Sequence, residues 1–212
     1  MELIIKPNID NSITRIFKWL DHDILDSVNV RFAGGSARKA LFDQLLGESD
    51  IDVWFSSRAD LHRAIEEVSK KLHLPASNFK NCASVSIPTS LLPEKIQKDV
   101  TSPYVKVQFI TKEMYPDFES LLGAFDFTIA QFGYENGQFV TTPQAINDAS
   151  NQVIRINSKV GPSFRKRFLK FSRMGFVPTK DTLKTMLDSI DELDMNVLHM
   201  DLDDELWEYD AF

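Results

Sequence analysis

The stretch "RFAGGSARKALFDQLLGESDIDVWF", residues 31–55, constrains this chain more than any other. A short apolar lead runs into two glycines, an apolar-periodic segment follows, and two aspartates then alternate with apolar residues. That order predicts a strand ending in glycines, a helix over "SARKALFDQLLG" closed by Gly47, and a second strand, "DIDVWFSS". Successive strand side chains point to opposite faces, so Asp50 and Asp52 share one face while Ile51, Val53 and Phe55 take the other. Two carboxylates about 7 Å apart along one strand face make a hard-oxygen site suited to Mg²⁺. Gly34 and Gly35, lacking side chains, let backbone approach phosphate oxygens. The helix starting near Ser36 would present free N–H groups and the positive end of its dipole, with Arg38 in its first turn reaching the same anion. One short segment thus offers both poles of a metal-bound nucleotide site. The bland alternative is ordinary strand–helix–strand punctuation with a solvated carboxylate pair.

The rest of the chain permits such a site. At 212 residues, 43% hydrophobic and 26% charged, it has the make-up of a globular protein with one substantial core or two small ones. The start, "MELIIKPNIDNS", lacks the basic and apolar regions of a signal peptide, and no apolar run approaches the roughly 18 residues of a membrane span. The expectation is a cytoplasmic protein without a membrane partner. The single cysteine, Cys82, suits a reducing compartment and reads as a buried or incidental thiol rather than a nucleophile. The net charge of −7 is uneven: residues 179–212 hold two lysines and eleven acidic residues, leaving 22 basic and 20 acidic residues before them. A nucleic-acid partner therefore depends on a local basic face, not on the overall charge.

Further elements follow from pattern. Residues 12–26 read as a packing helix capped by Ser12, "ADLHRAIEEVSKKLHL" as an amphipathic helix, and "SVSIPT" and "YVKVQFIT" as strands around a polar loop at 90–103. Asn136-Gly137 marks a hairpin within "DFTIAQFGYENGQFVTT". The segment "GPSFRKRFLKFSRMGF" places Phe164, Phe168 and Phe171 on one helical stripe and Lys166, Lys170 and Arg173 on another, with Arg165 and Arg167 alongside. That basic stripe suits a phosphate backbone, or is a solvated helix face. The acidic end, "MDLDDELWEYDAF", could cover it or fray. His22, His62, His73 and His199 show no metal-ligand spacing, and Trp54 reads as core.

The quoted segment resembles the signature of polymerase β-type nucleotidyltransferases, in which a Gly-Gly or Gly-Ser pair precedes Asp-x-Asp by about a dozen residues. It is most similar to the head domain of class II tRNA nucleotidyltransferases (CCA-adding enzymes) and bacterial poly(A) polymerases. "FDFTIAQFGYENGQFV", "INDASNQVIRIN" and "RKRFLKFSRMGF" resemble later segments of that family in the right order, so the likeness runs from about residue 29 to 177. The compact arrangement also resembles nucleotidyltransferase-like proteins of bacteriophages. The resemblance implies an α/β nucleotidyltransferase fold: a small mixed sheet with flanking helices, a head domain over 1–160, and a short helical, acidic C-terminal segment over 161–212. It implies that Gly34, Gly35, Ser36 and Arg38 bind the triphosphate, that Asp50 and Asp52 are catalytic and hold Mg²⁺, and that Asp126 faces the sugar or shapes the nucleotide pocket. The implied activity is transfer of NMP from an NTP to a hydroxyl. An RNA 3′ end, tRNA-like, is the first choice of acceptor and a protein hydroxyl the second, with Arg165, Lys166, Arg167, Lys170 and Arg173 as the RNA-binding residues.

Departures from the family pattern carry equal weight. The family's Arg-Asp is Arg38-Lys39, its Arg before Asp-Phe-Thr is Phe125, and the Asn after Ile is Ala130. The third catalytic carboxylate belongs on the strand "YVKVQFIT", which offers Lys106 and Gln108 instead; Glu113 and Asp117 are the nearby acids that could replace it. Without that acid the acceptor hydroxyl lacks its usual base. The alternative expectation is thus a catalytically impaired member that binds nucleotide, RNA or a protein partner without turnover. A third is a toxin-like or defence-related enzyme acting on tRNA or a target protein. Only about 35 residues follow Gly175, too few for the helical domains with which class II enzymes hold tRNA.

Overall fold

The computed structural model describes residues 1–47, 49–157 and 163–191; the acidic end falls outside the described residues. Among the described residues ten strands are formed: β1 (Ile4–Pro7), β2 (Arg31–Ala33), β3 (Ile51–Trp54), β4 (Ser77–Asn78), β5 (Cys82–Pro88), β6 (Tyr104–Ile110), β7 (Phe132–Glu135), β8 (Gln138–Thr141), β9 (Val153–Ile154) and β10 (Val177–Pro178). The helices are α1 (Ser12–Trp19), α2 (Gly35–Leu41), α3 (Arg58–Leu72), α4 (Glu94–Gln97), α5 (Phe118–Ala124), α6 (Pro143–Ser150), α7 (Phe164–Arg173) and α8 (Lys180–Asp191). Eight strands make one mixed sheet in the order β1-β8-β7-β2-β3-β6-β5-β4. Its pairings are antiparallel except β3 with β6, which run parallel because α3 and β5 lie between them in the chain.

The alternation in β3 and β6 sorts the sheet's two faces. Phe32, Ile51, Val53, Val85, Val107 and Phe109 all face one way into the main core, with Ile13, Ile16 and Phe17 of α1 and Leu61, Ala64 and Val68 of α3 packed over them. On the opposite face Ala33, Trp54, Cys82 and Ile110 form a smaller apolar patch under Phe118, Leu121 and Leu122 of α5. Trp54 is core, edge-on to Phe125 at 5.7 Å. Farther along that second face stand Asp50, Asp52, Lys106 and Gln108, of which Asp52 and Gln108 are buried. A third cluster joins Phe127, Ile129 and Ile154 to Phe164, Phe168 and Phe171 of α7 and Met186 of α8, so the aromatic stripe read from the sequence is the buried side of α7.

Local structure departs from sequence expectation at four places. The α1 cap is Asn11, not Ser12: its side chain accepts from the Thr14 backbone while Thr14 Oγ1 accepts from the Asn11 backbone, a reciprocal box that Ser12 cannot form from inside the helix. Helix α2 stops at Leu41 rather than running to Gly47, because Phe42 turns onto Phe132 and Asp43 takes a left-handed φ of +51°. The loop at 90–103 contains the short α4, whose Ile96 is buried with Leu92. The hairpin stretch does not open as a strand: Thr128–Ala130 forms a 3₁₀ turn before β7. The Asn136-Gly137 hairpin forms as expected, with φ of +51° and +76° between β7 and β8.

Candidate functional site

The site is built where β2 ends and β3 begins. Gly34 caps α2 with φ +95° and ψ −142°, a backbone conformation essentially confined to glycine. Its amide donates to Phe132 O on β7 at 2.8 Å, which locks the turn to the sheet. A Cβ added there would lie 3.4 Å from Asp52 Oδ2, so the glycine turn and the second aspartate are in direct juxtaposition. Asp52 is 4% exposed and pairs in register with Gln108 of the parallel strand β6. Gln108 Nε2 donates to Asp50 Oδ2 at 2.8 Å, and Lys106 Nζ stands 3.5 Å from Asp50 Oδ1. The two residues occupying the place of a third carboxylate therefore both hold the first one.

Buried donors complete the other pole. Ser36 Oγ and the Nε and Nη1 of Arg38 are buried and have no hydrogen-bond partner among the described residues. Arg38 is 4% exposed, and burial pushes its guanidinium down to about 10. The aromatic faces of Phe176, at 5.0 Å, and Phe171, at 5.8 Å, lie against the guanidinium. A desolvated cation with idle N–H groups is expensive in a fold unless an anion is meant to meet it. Gly35 has open space where a side chain would be, which leaves the helix start accessible.

The remaining sequence-derived residues divide. Lys39 donates to Leu46 O at 2.8 Å and Ser49 Oγ at 2.5 Å, pinning the loop that delivers Asp50. Burial, then the nearby charges of Arg38 and Lys170, holds its ammonium below the ordinary value. Asp126 and Arg167 meet each other: Arg167 Nε donates to Asp126 Oδ2 at 2.9 Å, with both side chains largely buried. Arg167 thus faces Asp126 rather than joining a solvent-facing stripe, because its 3.6-residue phase sets it between the aromatic face and the basic one. Lys170 and Arg173 are exposed, while Arg165 and Lys166 are half-buried. Asp117 caps α5 by accepting from the Ser120 amide at 2.8 Å, and Glu113 accepts from the Tyr115 hydroxyl, so neither acid is placed as a third ligand. Cys82 is buried near the pair, and burial first, then the charges of Asp52 and Asp50, pushes its thiol up to about 11, which makes a nucleophile of it at neutral pH unfavourable. The contacts of Lys106 and the aromatic bed under Arg38 are the features that sequence reasoning missed. The first depends on the parallel register of β3 and β6, which no local sequence pattern marks.

Among the described residues no group of three or more acidic, histidine or cysteine side chains gathers to hold a metal. The oxygen donors present are the carboxylates of Asp50 and Asp52 and the Oε1 of Gln108, a buried acceptor that receives no hydrogen bond. That set fits one hard divalent cation, with substrate phosphates and water filling its other positions.

A mixed sheet with a glycine turn set against an Asp-x-Asp strand defines the nucleotidyltransferase fold class. The chain is similar to a CCA-adding enzyme solved with CTP, at 19% identity and a TM-score of 0.62, and to the Thermotoga maritima CCA-adding enzyme complexed with tRNA, at 17% and 0.61. Both alignments cover 91% of this chain and 46% and 47% of those chains, so it spans about half the length of these relatives. The chain itself belongs to the Gabija anti-defense 2 family, whose model matches residues 8–152. Among curated proteins none matches its sequence. Among the described residues no helix is long and apolar enough to cross a membrane.

Proposed function

We propose that this chain is a nucleotidyltransferase that acts in Gabija anti-defense, binding a Mg²⁺-bound NTP between its glycine turn and its aspartate pair. The observation that carries the reading is the set of idle buried donors, Ser36 Oγ and Arg38 Nε and Nη1, beside a turn whose glycine abuts Asp52. Gly34, Gly35, Ser36 and Arg38 would hold the phosphates; Asp50 and Asp52, helped by Gln108 Oε1, would hold the ion. A bound Mg²⁺ supplies neutralisation of phosphate charge. The acceptor hydroxyl oxygen would form the new bond to the α-phosphorus as the bond to pyrophosphate breaks, its proton passing to solvent for want of a third acid. Lys170 and Arg173, exposed on α7, suit an RNA acceptor; a protein hydroxyl is the second choice. Asp126, engaged with Arg167, would shape the pocket indirectly by holding α7, and would tie a head over 1–160 to a C-terminal segment over 161–212. The reading places the protein in a bacterial cytoplasm, where NTP and Mg²⁺ are at hand, and fits a bacteriophage source.

A second reading, nucleotide binding without transfer, is favoured by the hold of Lys106 and Gln108 on Asp50. One experiment separates the two. The parent and an Asp50→Ala/Asp52→Ala variant are incubated with Mg²⁺, each labelled NTP, cellular RNA and the Gabija proteins. Label entering RNA or protein with the parent alone establishes transfer and its acceptor class. Parent binding of NTP without incorporation establishes the second reading, and absence of NTP binding overturns both.

A further inference from the structure

The parallel register of β3 and β6 puts Asp52 beside Gln108, and two residues earlier on each strand puts Asp50 beside Lys106. Both oxygens of Asp50 are then engaged, Oδ2 by the Gln108 amide at 2.8 Å and Oδ1 by the Lys106 ammonium at 3.5 Å. The two holders differ in freedom. Gln108 is 2% exposed and fixed in the sheet, whereas the Lys106 side chain is 34% exposed on a four-carbon stem.

We propose that Lys106 is a resident counter-ion of Asp50, and that it makes divalent-metal binding conditional on a polyphosphate that takes the ammonium over. The inference rests on the nucleotide-site reading above and names its regulation. A divalent ion arriving alone at Asp50 meets a positive charge already paired with the same carboxylate, 3.5 Å from one of its oxygens. It must displace Lys106, which then stays close to the ion with its charge unmatched. Among the described residues Asp50 is the one acid with which Lys106 pairs. A nucleoside triphosphate changes the sum, because the displaced ammonium gains phosphate oxygens in place of the carboxylate. Metal and triphosphate therefore bind with positive coupling, and by reciprocity each tightens the other by the same factor. An acid in place of Lys106 would instead let metal bind first.

The test uses the full chain and Mn²⁺ as the probe, following free Mn²⁺ by electron paramagnetic resonance with and without α,β-methylene-ATP, corrected for Mn²⁺ held by the analogue itself. The parent is expected to bind Mn²⁺ weakly alone and at least roughly tenfold more tightly with the analogue. Lys106→Met and Lys106→Gln, checked for folding by circular dichroism, should bind Mn²⁺ alone roughly tenfold more tightly than the parent, with the enhancement by analogue shrunken. If the parent binds Mn²⁺ with the analogue but the folded variants match it without the analogue, the counter-ion role is overturned and the nucleotide site stands. If no form binds Mn²⁺ even with the analogue, the nucleotide-site reading fails and takes the inference with it.

Discussion

Arg167 Nε donates to Asp126 Oδ2 at 2.9 Å, across 41 residues of chain, and this pair is a polar fastening between α7 and the segment that precedes β7. Around it Phe127 stacks on Phe164 at 5.1 Å and meets Phe171 edge-on at 5.7 Å. Burial raises the Asp126 carboxyl above its ordinary 3.8, and the Arg167 charge pulls the other way.

Arg167→Met should therefore leave a buried carboxylate without its cation and destabilise the protein by roughly 3 kcal/mol at neutral pH. A raised carboxyl binds more protons folded than unfolded, so its contribution to stability is present below 3.8 and is lost as pH rises through the folded value. Removing Arg167 lifts that value further and widens the window. Chemical denaturation across acid to neutral pH checks this: the deficit against the parent should grow with pH, and a deficit independent of pH would mean the aromatic packing, not the pair, holds α7.

Arg38→Met should separate stability from binding. The substitution removes a buried guanidinium whose Nε and Nη1 have no hydrogen-bond partner among the described residues and keeps an apolar contact with Phe171 and Phe176. Thermal unfolding is expected at the parent's temperature or above it, while affinity for a triphosphate falls at least roughly tenfold, the weight of one lost charge-assisted contact. Equal triphosphate affinity in the two forms would show that Arg38 is a structural residue.

Gly34→Ala forces a side chain onto φ +95° and ψ −142°, beside Asp52 Oδ2. Such strain costs about 1–3 kcal/mol. The melting temperature should fall accordingly, and triphosphate binding should weaken because the turn must rotate its amides away. Gly35→Ala, which meets nothing, is the control and should melt close to the parent.

Gly133→Ala tests the seat of α5. A Cβ on β7 would lie 2.2 Å from Phe118 Cε1, inside any allowed contact, and the ring is itself held under the Arg31 guanidinium at 5.7 Å. Overpacking of this kind costs roughly 1–3 kcal/mol. Calorimetry of the variant should show that loss, and Gly133→Ala/Phe118→Leu should recover part of it by making room.

Cys82 should resist alkylation by iodoacetamide at pH 8 in the folded protein and react readily in denaturant, since its thiol is pushed up to about 11. Rapid reaction in the folded state would contradict its burial.

Local periodicity and turn chemistry were enough to read the strand, glycine turn, helix and Asp-x-Asp strand in order, the Asn136-Gly137 hairpin and the buried aromatic face of α7. These depend on residues within a few positions of one another, where side-chain alternation and positive φ leave direct marks. The length of α2 was not legible, because Phe42 leaves the helix for Phe132, ninety residues away in sequence. Nor was the fate of the charged residues. Whether Lys106 reaches Asp50, whether Lys39 turns to the Ser49 loop and whether Asp126 stands open or spent on Arg167 depend on which strands lie side by side and where α7 lands. The sequence by itself determined the face that carries the two aspartates; only the tertiary structure decided which cations neutralise acids in the fold and which, like Arg38, are left buried with donors to spare. The physical reason is that alternation is a property of one strand, whereas the partner of a charge is chosen by register and packing between segments far apart in the chain.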